Sequence, residues 1–373
     1  MDLVGPYAQP LEPAADALMA RIAAQAADAD SHGVRRDVVD ALAAQGLLGG
    51  RLAPSMQREL GERLAMADAS TWFCWVQHQT PVAILEGDAP GVIAPASEKL
   101  RAELLPGLRT GARLAAVAFA HVRRPGPPDP VATRTPTGWR LDGHLDWVTS
   151  WDIADDVMIM ARGDASHAGS LVCAYLPAGE STVAWPGVEP GAVLELLAMS
   201  GTHTRPVVLS AVEVPDDRVV VISHEVWAAA DEVRTSDANP AVFGIVRGAI
   251  DELDEVARRR GDARMGELAL ELADRCRELR SAVYSAADAG ASVPERLALR
   301  AEALELAMLS AVSVVTVRAG AAMQLGRSAE RRVREAMFLQ VQAQTAATRA
   351  ASIELLLGRL RERSAARHYA LGR

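Results

Sequence analysis

Only three cysteines, Cys74, Cys173 and Cys276, occur in 373 residues, and no two stand at a CxxC spacing. That scarcity excludes a disulfide framework and fits reduced, buried thiols in a cytoplasmic protein. HExxH and clustered Cys/His sets are also absent, so no metal site is expected. GxGxxG and the phosphate-cradling GxxxxGK are missing, which removes a dinucleotide loop and a P-loop. GxSxG is missing too, against an α/β-hydrolase. Positive charge is not in excess: Lys and Arg number 39 against 48 Asp and Glu, a formal charge of −9. Nucleic acid and anionic membrane are therefore not expected as partners. The arginine clusters Arg258-Arg259-Arg260 and Arg331, Arg332, Arg334 sit among carboxylates and read as solvated helix faces. The longest uncharged apolar stretch, Leu306–Val317, falls short of the ~18 residues that span a bilayer and reads as a buried helix. The first residues, Met1–Pro6, lack the basic-then-apolar pattern of a secretion signal.

Half of the residues are hydrophobic, enough for a large core in two or three domains. Three textures follow one another. Residues 1–110 read as a helical domain, with Leu18, Ile22 and Ala26, then Val38, Val39, Leu42 and Leu47, at helical spacing. Gly46 and Gly49-Gly50 are stop signals. Residues 111–225 read as a β domain. Its candidate strands are Leu114–Phe119, Trp139–Leu141, Leu145–Val148, Val157–Ala161, Leu171–Leu176 and Val207–Val214. The proline-rich run 123–130 is a loop, because proline removes donors and fixes φ. Residues 226–373 read as a helical bundle. One helix buries Val242, Ile245, Val246, Ala249, Ile250, Leu253 and Val256. Ser292-Val293-Pro294-Glu295 resembles a capping box that opens a second. A third is predicted from Ala329 to Leu360.

The most telling run is Gly138 to Ser150, ending Trp147-Val148-Thr149-Ser150. Asp142-Gly143 predicts a hairpin turn between two short strands. A Trp beside a hydroxyl residue at a strand end offers a flat face and a hydrogen-bonding group to a planar heterocycle. The run resembles the flavin-contacting strand of the acyl-CoA dehydrogenase superfamily. Ile153-Ala154-Asp155 continues the likeness, as does Met199-Ser200-Gly201-Thr202-His203-Thr204 leading to Val214-Pro215. Asp217-Arg218-Val219, Ala319-Gly320-Ala321-Ala322 and Arg334-Glu335-Ala336 match further segments of that family.

The departures are specific. Ser200 replaces an arginine. Phe119-Ala120-His121-Val122-Arg123 lacks the family's Thr-Glu, and no phosphate-binding run follows Arg260. Ala343-Gln344-Thr345 stands where the family carries the Glu-Gly-Thr of its catalytic base. Two-component flavin monooxygenases of the same fold, of the dibenzothiophene and hydroxyphenyl types, also lack that base. Asp68-Ala69-Ser70 with Gln77-His78 resembles the helix that carries their histidine, although Met337 and Val341-Gln342 depart from their C-terminal pattern.

The resemblance implies an α+β, mainly α fold. It has an N-terminal helical domain, a central β-barrel or sandwich domain and a C-terminal four-helix bundle. It further implies a flavin cofactor, FAD with FMN as the alternative. A homodimer or homotetramer is implied, as is a small-molecule substrate of the acyl-CoA type. A flavin reductase or an electron-transfer partner would complete the redox cycle. Trp147, Thr149, Ser150, Thr202, Thr204, Gln342 and Thr345 are the cofactor-binding candidates, and His78 the catalytic one. An apolar neighbourhood (Trp72, Phe73, Cys74, Trp75) would keep His78 neutral, fit to bond a flavin hydroperoxide, although a satisfied core histidine has the same surroundings. His203 reads as loop cap or pocket residue. His121 with Arg123 and Arg124 reads as a phosphate site or an exposed basic loop. The expected activity is oxidation of an acyl thioester without the usual base. The alternatives are monooxygenation through His78 and a non-catalytic binding subunit.

Overall fold

The computed structural model describes residues 2–179 and 185–371. The chain divides into two compact units, Tyr7–Ala230, and Asp231–Arg373 together with Met1–Pro6.

In the first unit, helices α1 (Pro13–His32), α2 (Arg36–Ala44), α3 (Pro54–Ala67), α4 (Ala69–Glu86) and α5 (Glu98–Thr110) accompany a sheet. The predicted stripe on α1 is buried at Leu18, Ile22 and Ala26, and that on α2 at Val38, Val39 and Leu42; Leu47 lies past the end of α2 and is only half-buried. Asp68 caps α4: its Oδ2 accepts from the Thr71 N–H at 2.7 Å and hydroxyl at 2.6 Å. The strands are β1 (Val92–Ala94), β2 (Ala115–Ala118), β3 (Val131–Arg134), β4 (Gly138–Val148), β5 (Asp156–Gly163), β6 (Ser170–Pro177), β7 (Val188–Pro190), β8 (Arg205–Pro215) and β9 (Val219–Ser223). They form one sheet in the order β1-β9-β6-β5-β3-β4-β8-β7, with β2 parallel to β5. Leu85, Leu100, Leu104 and Leu108 from α4 and α5 pack on Val117, Met158, Met160, Tyr175 and Ile222 of the sheet. Each such side chain gains about 2 kcal/mol on leaving water.

The expected hairpin at Asp142-Gly143 does not form. β4 runs unbroken from Gly138 to Val148 along the equally long β8. Leu141 pairs with Val212 and Gly143 with Leu209, so β8 carries one extra residue. Ala211 takes it up at φ +52°, and its N–H donates to the Asp142 carboxylate at 2.8 Å. The Asp-Gly pair thus anchors a β-bulge. Gly143 itself has φ +134°, and a Cβ there would lie 2.0 Å from Asp129 Oδ1 and 2.7 Å from Pro130 Cα.

The second unit is built from α7 (Pro240–Arg260), α8 (Ala263–Asp288), α9 (Val293–Arg318), α10 (Ser328–Val341) and α11 (Ala346–Leu371), preceded by α6 (His224–Ser236), which crosses the unit boundary. The predicted apolar residues of α7 are all buried. Ser292 caps α9 by accepting the Glu295 N–H at 3.4 Å. Val293–Met323 is long and apolar enough, by composition, to cross a membrane. Here it packs against α7, α8, α10 and α11.

Two expectations are corrected. The helix predicted from Ala329 to Leu360 is two helices, broken at 342–345. Ala343 there has φ +51°, and Thr345 and Thr348 cap each other: each hydroxyl accepts the other's backbone N–H, at 3.2 and 2.7 Å. Arg331, Arg332 and Arg334 do not form a solvated face. Their side chains are largely buried beside Glu335, Glu252 and Glu330 respectively. Arg258 and Arg259 are exposed, as expected.

Gly143→Ala combines a forbidden φ with two overlaps, so it should cost about 2 kcal/mol or more. Urea unfolding measures this. A variant as stable as the wild type would mean that the Asp129–Pro130 loop is not held against β4.

Candidate active site at the end of strand β4

A second bulge lies at the far end of β4. Leu145 pairs with Val207 and Val148 with Arg205, three steps on one strand against two on the other. Regular alternation would point Trp147 to the same buried side as Leu145. The extra residue instead leaves Asp146 and Trp147 both exposed between buried Leu145 and Val148. Trp147 is 48% exposed, an indole held in solvent by backbone geometry. Bulges re-aim side chains in this way beside active sites. Asp146 forms an ion pair with Arg124.

Beyond the bulge the backbone is strained at three non-glycine residues: Ser150 at φ +68°, Met199 at +64° and His203 at +49°. Such conformations persist only where neighbours over-determine them, and they gather at functional sites. The Ser150 N–H donates to the Thr202 carbonyl at 2.8 Å, and the Trp151 N–H to His203 at 3.3 Å. His203 is a clasp. Its Nε2 donates to the Val34 carbonyl at 3.0 Å, and its Nδ1 lies 3.6 Å from Asp152. The ring fills the space where a Gly33 Cβ would sit.

Thr149, Thr202 and Thr204 come together as a chain of hydroxyls. The Thr202 hydroxyl donates to the Met199 carbonyl at 2.7 Å. Its oxygen lies 2.7 Å from that of Thr204, which lies 3.3 Å from that of Thr149. Thr202 is fully buried and Thr204 and Thr149 nearly so: the three hydroxyls bond one another and the Met199 carbonyl, which corrects the expectation that Thr202 and Thr204 present hydroxyls to a pyrophosphate. Ser150 is also fully buried, so its side chain does not line an open surface. Its neighbour is the Cys74 thiol, which burial pushes up to about 12.

His78 does not reach this site as a reactive group. It is fully buried, and both ring nitrogens are committed. Nε2 donates to the Leu108 carbonyl at 2.9 Å, and Nδ1 accepts the Ala115 N–H at 3.0 Å. The ring ties α4 to the end of α5 and the start of β2, and no nitrogen remains for a ligand. Burial, against these two bonds, lowers its pKa to about 4. His121 is likewise tied, its Nε2 donating to the Met160 carbonyl at 2.5 Å, while Arg123 stacks on Phe119. With Arg124 on Asp146, the phosphate reading of this loop is set aside. Gln342 and Thr345 belong to the second unit. The Gln342 carbonyl accepts from Arg300 at 2.8 Å, and Thr345 caps α11. The α10–α11 turn, 342–345, carries no carboxylate. No His/Cys/Asp/Glu group able to hold a metal occurs among the described residues.

No protein-family profile matches the chain. It is 28% identical over 132 residues to a probable acyl-CoA dehydrogenase of Bacillus subtilis (strain 168), a match spanning 33% of this chain and only 20% of that protein. Similar solved structures include butyryl-CoA dehydrogenase from Megasphaera elsdenii, with TM-score 0.74 and 17% identity over 94% of this chain and 99% of that one. Dibenzothiophene monooxygenase from Paenibacillus sp. A11-2 superposes with TM-score 0.71 and 17% identity over 93% and 96%. At these identities the likeness establishes the fold, and the α+β, mainly helical architecture read from the sequence is the one observed.

The buried neutral His78 makes stability depend on pH. Its folded pKa lies below that of the unfolded chain, so the contribution is full above about pH 6.5 and is lost as pH falls toward 4. The loss should total about 3 kcal/mol. His78→Gln should be less stable at pH 7 and show a correspondingly shallower acid slope in urea melts. Equal slopes would mean that the imidazole titrates normally.

Proposed function

We propose that this chain, which has the acyl-CoA dehydrogenase fold, is a flavin-dependent oxidoreductase that seats the isoalloxazine against Trp147. The bulge that turns Trp147 outward carries this reading, since a large apolar ring left in solvent marks a ligand or partner surface. The flat, exposed indole fits the ring half of a flavin; Thr149, two residues on, is 5% exposed and its hydroxyl lies against that of Thr204. Bound flavin would supply hydride or electron transfer there. The chain's own residues supply the platform and a rigid strained loop that keeps it in place. FAD is the first choice and FMN the alternative. Neither Thr202 nor Thr204 offers a hydroxyl to a dinucleotide phosphate.

Oxidation of an acyl thioester is the leading reaction by the likeness of fold. It requires a base to take a proton from the substrate. The turn at 342–345 has Ala343 where that base is expected, so a dehydrogenase would draw it from elsewhere. The same absence favours a second reading, flavin-dependent monooxygenation, which takes no such proton. His78 has no part in either. Consumption of acyl-CoA without oxygen would mark the first reading. Hydroxylation dependent on reduced flavin and oxygen would mark the second. We also assign the exposed apolar face at Leu309, Val312, Ile353, Leu356 and Leu360 to a second copy of the chain.

Trp147→Ala should weaken flavin binding about tenfold or more, the scale of a lost ring stack. Thermal stability should hardly change, because the side chain is already half in water. Fluorescence titration reads the first effect and a melting curve the second. Unaltered affinity would remove Trp147 from the site.

A further inference from the structure

We infer that residues 2–6 form a strap that fastens to the helical bundle more tightly in mild acid, with the Asp251 carboxyl as the group that takes up the proton. Strap and bundle belong to one compact unit. The strap has no helix or strand of its own, and such a segment stays ordered only where it is tied down. Charged side chains of two helices tie it. Asp2 forms an ion pair with Arg247 of α7, whose side chain is fully buried. From α8, Arg277 donates to the Leu3 carbonyl at 2.7 Å and Arg280 to the Gly5 carbonyl at 3.2 Å. Asp2 also folds the strap itself, its Oδ1 accepting the Val4 and Gly5 N–H groups at 3.1 and 3.0 Å. The Val4 side chain is buried.

Asp251 lies one turn along α7 from Arg247. Its Oδ1 is buried with no hydrogen-bond partner among the described residues. A carboxylate oxygen in that position disfavours the charged form of its group. Burial, and then the nearby charge of Asp2, push the Asp251 carboxyl up from 3.8 to about 6; positive charge at the amino terminus and at Arg247, and the Leu3 N–H, oppose them. From α10, Arg332 is the further charged group that acts on Asp251, and it lies beside Glu252. Asp2 stays ionised: burial alone would raise its pKa, but Arg247 holds it below the ordinary carboxylate range. Lifting the strap takes the Asp2 charge away and admits water to Asp251, whose pKa then falls back toward its ordinary value. The raised pKa thus belongs to the fastened state. Fastening is favoured most when Asp251 is protonated, and the advantage is lost as pH rises through about 6. His78 acts with the opposite sign, since its contribution is lost in acid.

The test is hydrogen exchange of the full chain, read by mass spectrometry on the N-terminal peptide and corrected for the pH dependence of free amides. In the wild type, residues 2–6 should be about fivefold or more better protected at about pH 5 than at about pH 7.5, the scale of a shift of one pKa unit. Asp251→Asn is neutral at every pH, so it should keep the acid-level protection at both. Asp2→Asn breaks the pair with Arg247 and should lose about tenfold in protection at both. Equal protection of the wild type at the two pH values, or greater protection at the higher one, would overturn the inference. A pH dependence that survives in Asp251→Asn would overturn the role of Asp251. Unprotected amides in the wild type at both pH values would overturn the strap itself.

Discussion

The pairing of β4 with β8 is the constraint on which the candidate site depends. Two long antiparallel strands run side by side, and their registers disagree twice. At the inner bulge the extra residue is on β8, and Ala211 accepts a left-handed backbone because Asp142 bonds its N–H. At the outer bulge the extra residue is on β4, and the result is Trp147 in solvent. A ladder without the second irregularity would bury that indole, and the surface that now reads as a platform would be an ordinary strand end. The strained loop past Val148 extends the same logic. Ser150 and His203 are held in unfavourable backbone states by the bonds they donate to the Thr202 and Val34 carbonyls, with Asp152 beside the His203 ring.

Much of the fold was legible from pattern. The apolar stripes of α1, α2 and α7 fell where period 3.6 placed them, and the Ser292 cap was readable because its chemistry is local. Trp147 and Thr149 were singled out by an aromatic beside a hydroxyl residue and by resemblance to a flavin-contacting strand. No local signal reports that Trp147 is exposed, because a bulge depends on the partner strand's register. The same limit explains the misread hairpin: Asp-Gly favours tight turns and also suits a bulge, and only the length of β8 decides between them. The single helix expected from Ala329 to Leu360 failed for a related reason. Gln342-Ala343-Gln344-Thr345 contains neither glycine nor proline, and the stop comes from the reciprocal bonds of Thr345 and Thr348.

His78 shows where resemblance and geometry part. The aromatic neighbourhood correctly indicated a neutral imidazole, but neutrality serves two ends. Here both nitrogens bond backbone groups on α5 and β2, which converts a candidate base into a cross-brace. His78 is thus structural, and the 342–345 turn carries no carboxylate. The arginines of α10 make a similar point. Among carboxylates they read as a solvated face, yet tertiary packing buries them with those carboxylates as partners.

The most direct test of the platform is a crystal structure of the protein soaked with flavin. The account predicts the isoalloxazine in van der Waals contact with the Trp147 indole, with the ring edge at the Thr149 hydroxyl. A flavin bound elsewhere, or a Trp147 covered by a neighbouring copy of the chain with flavin excluded, would contradict it.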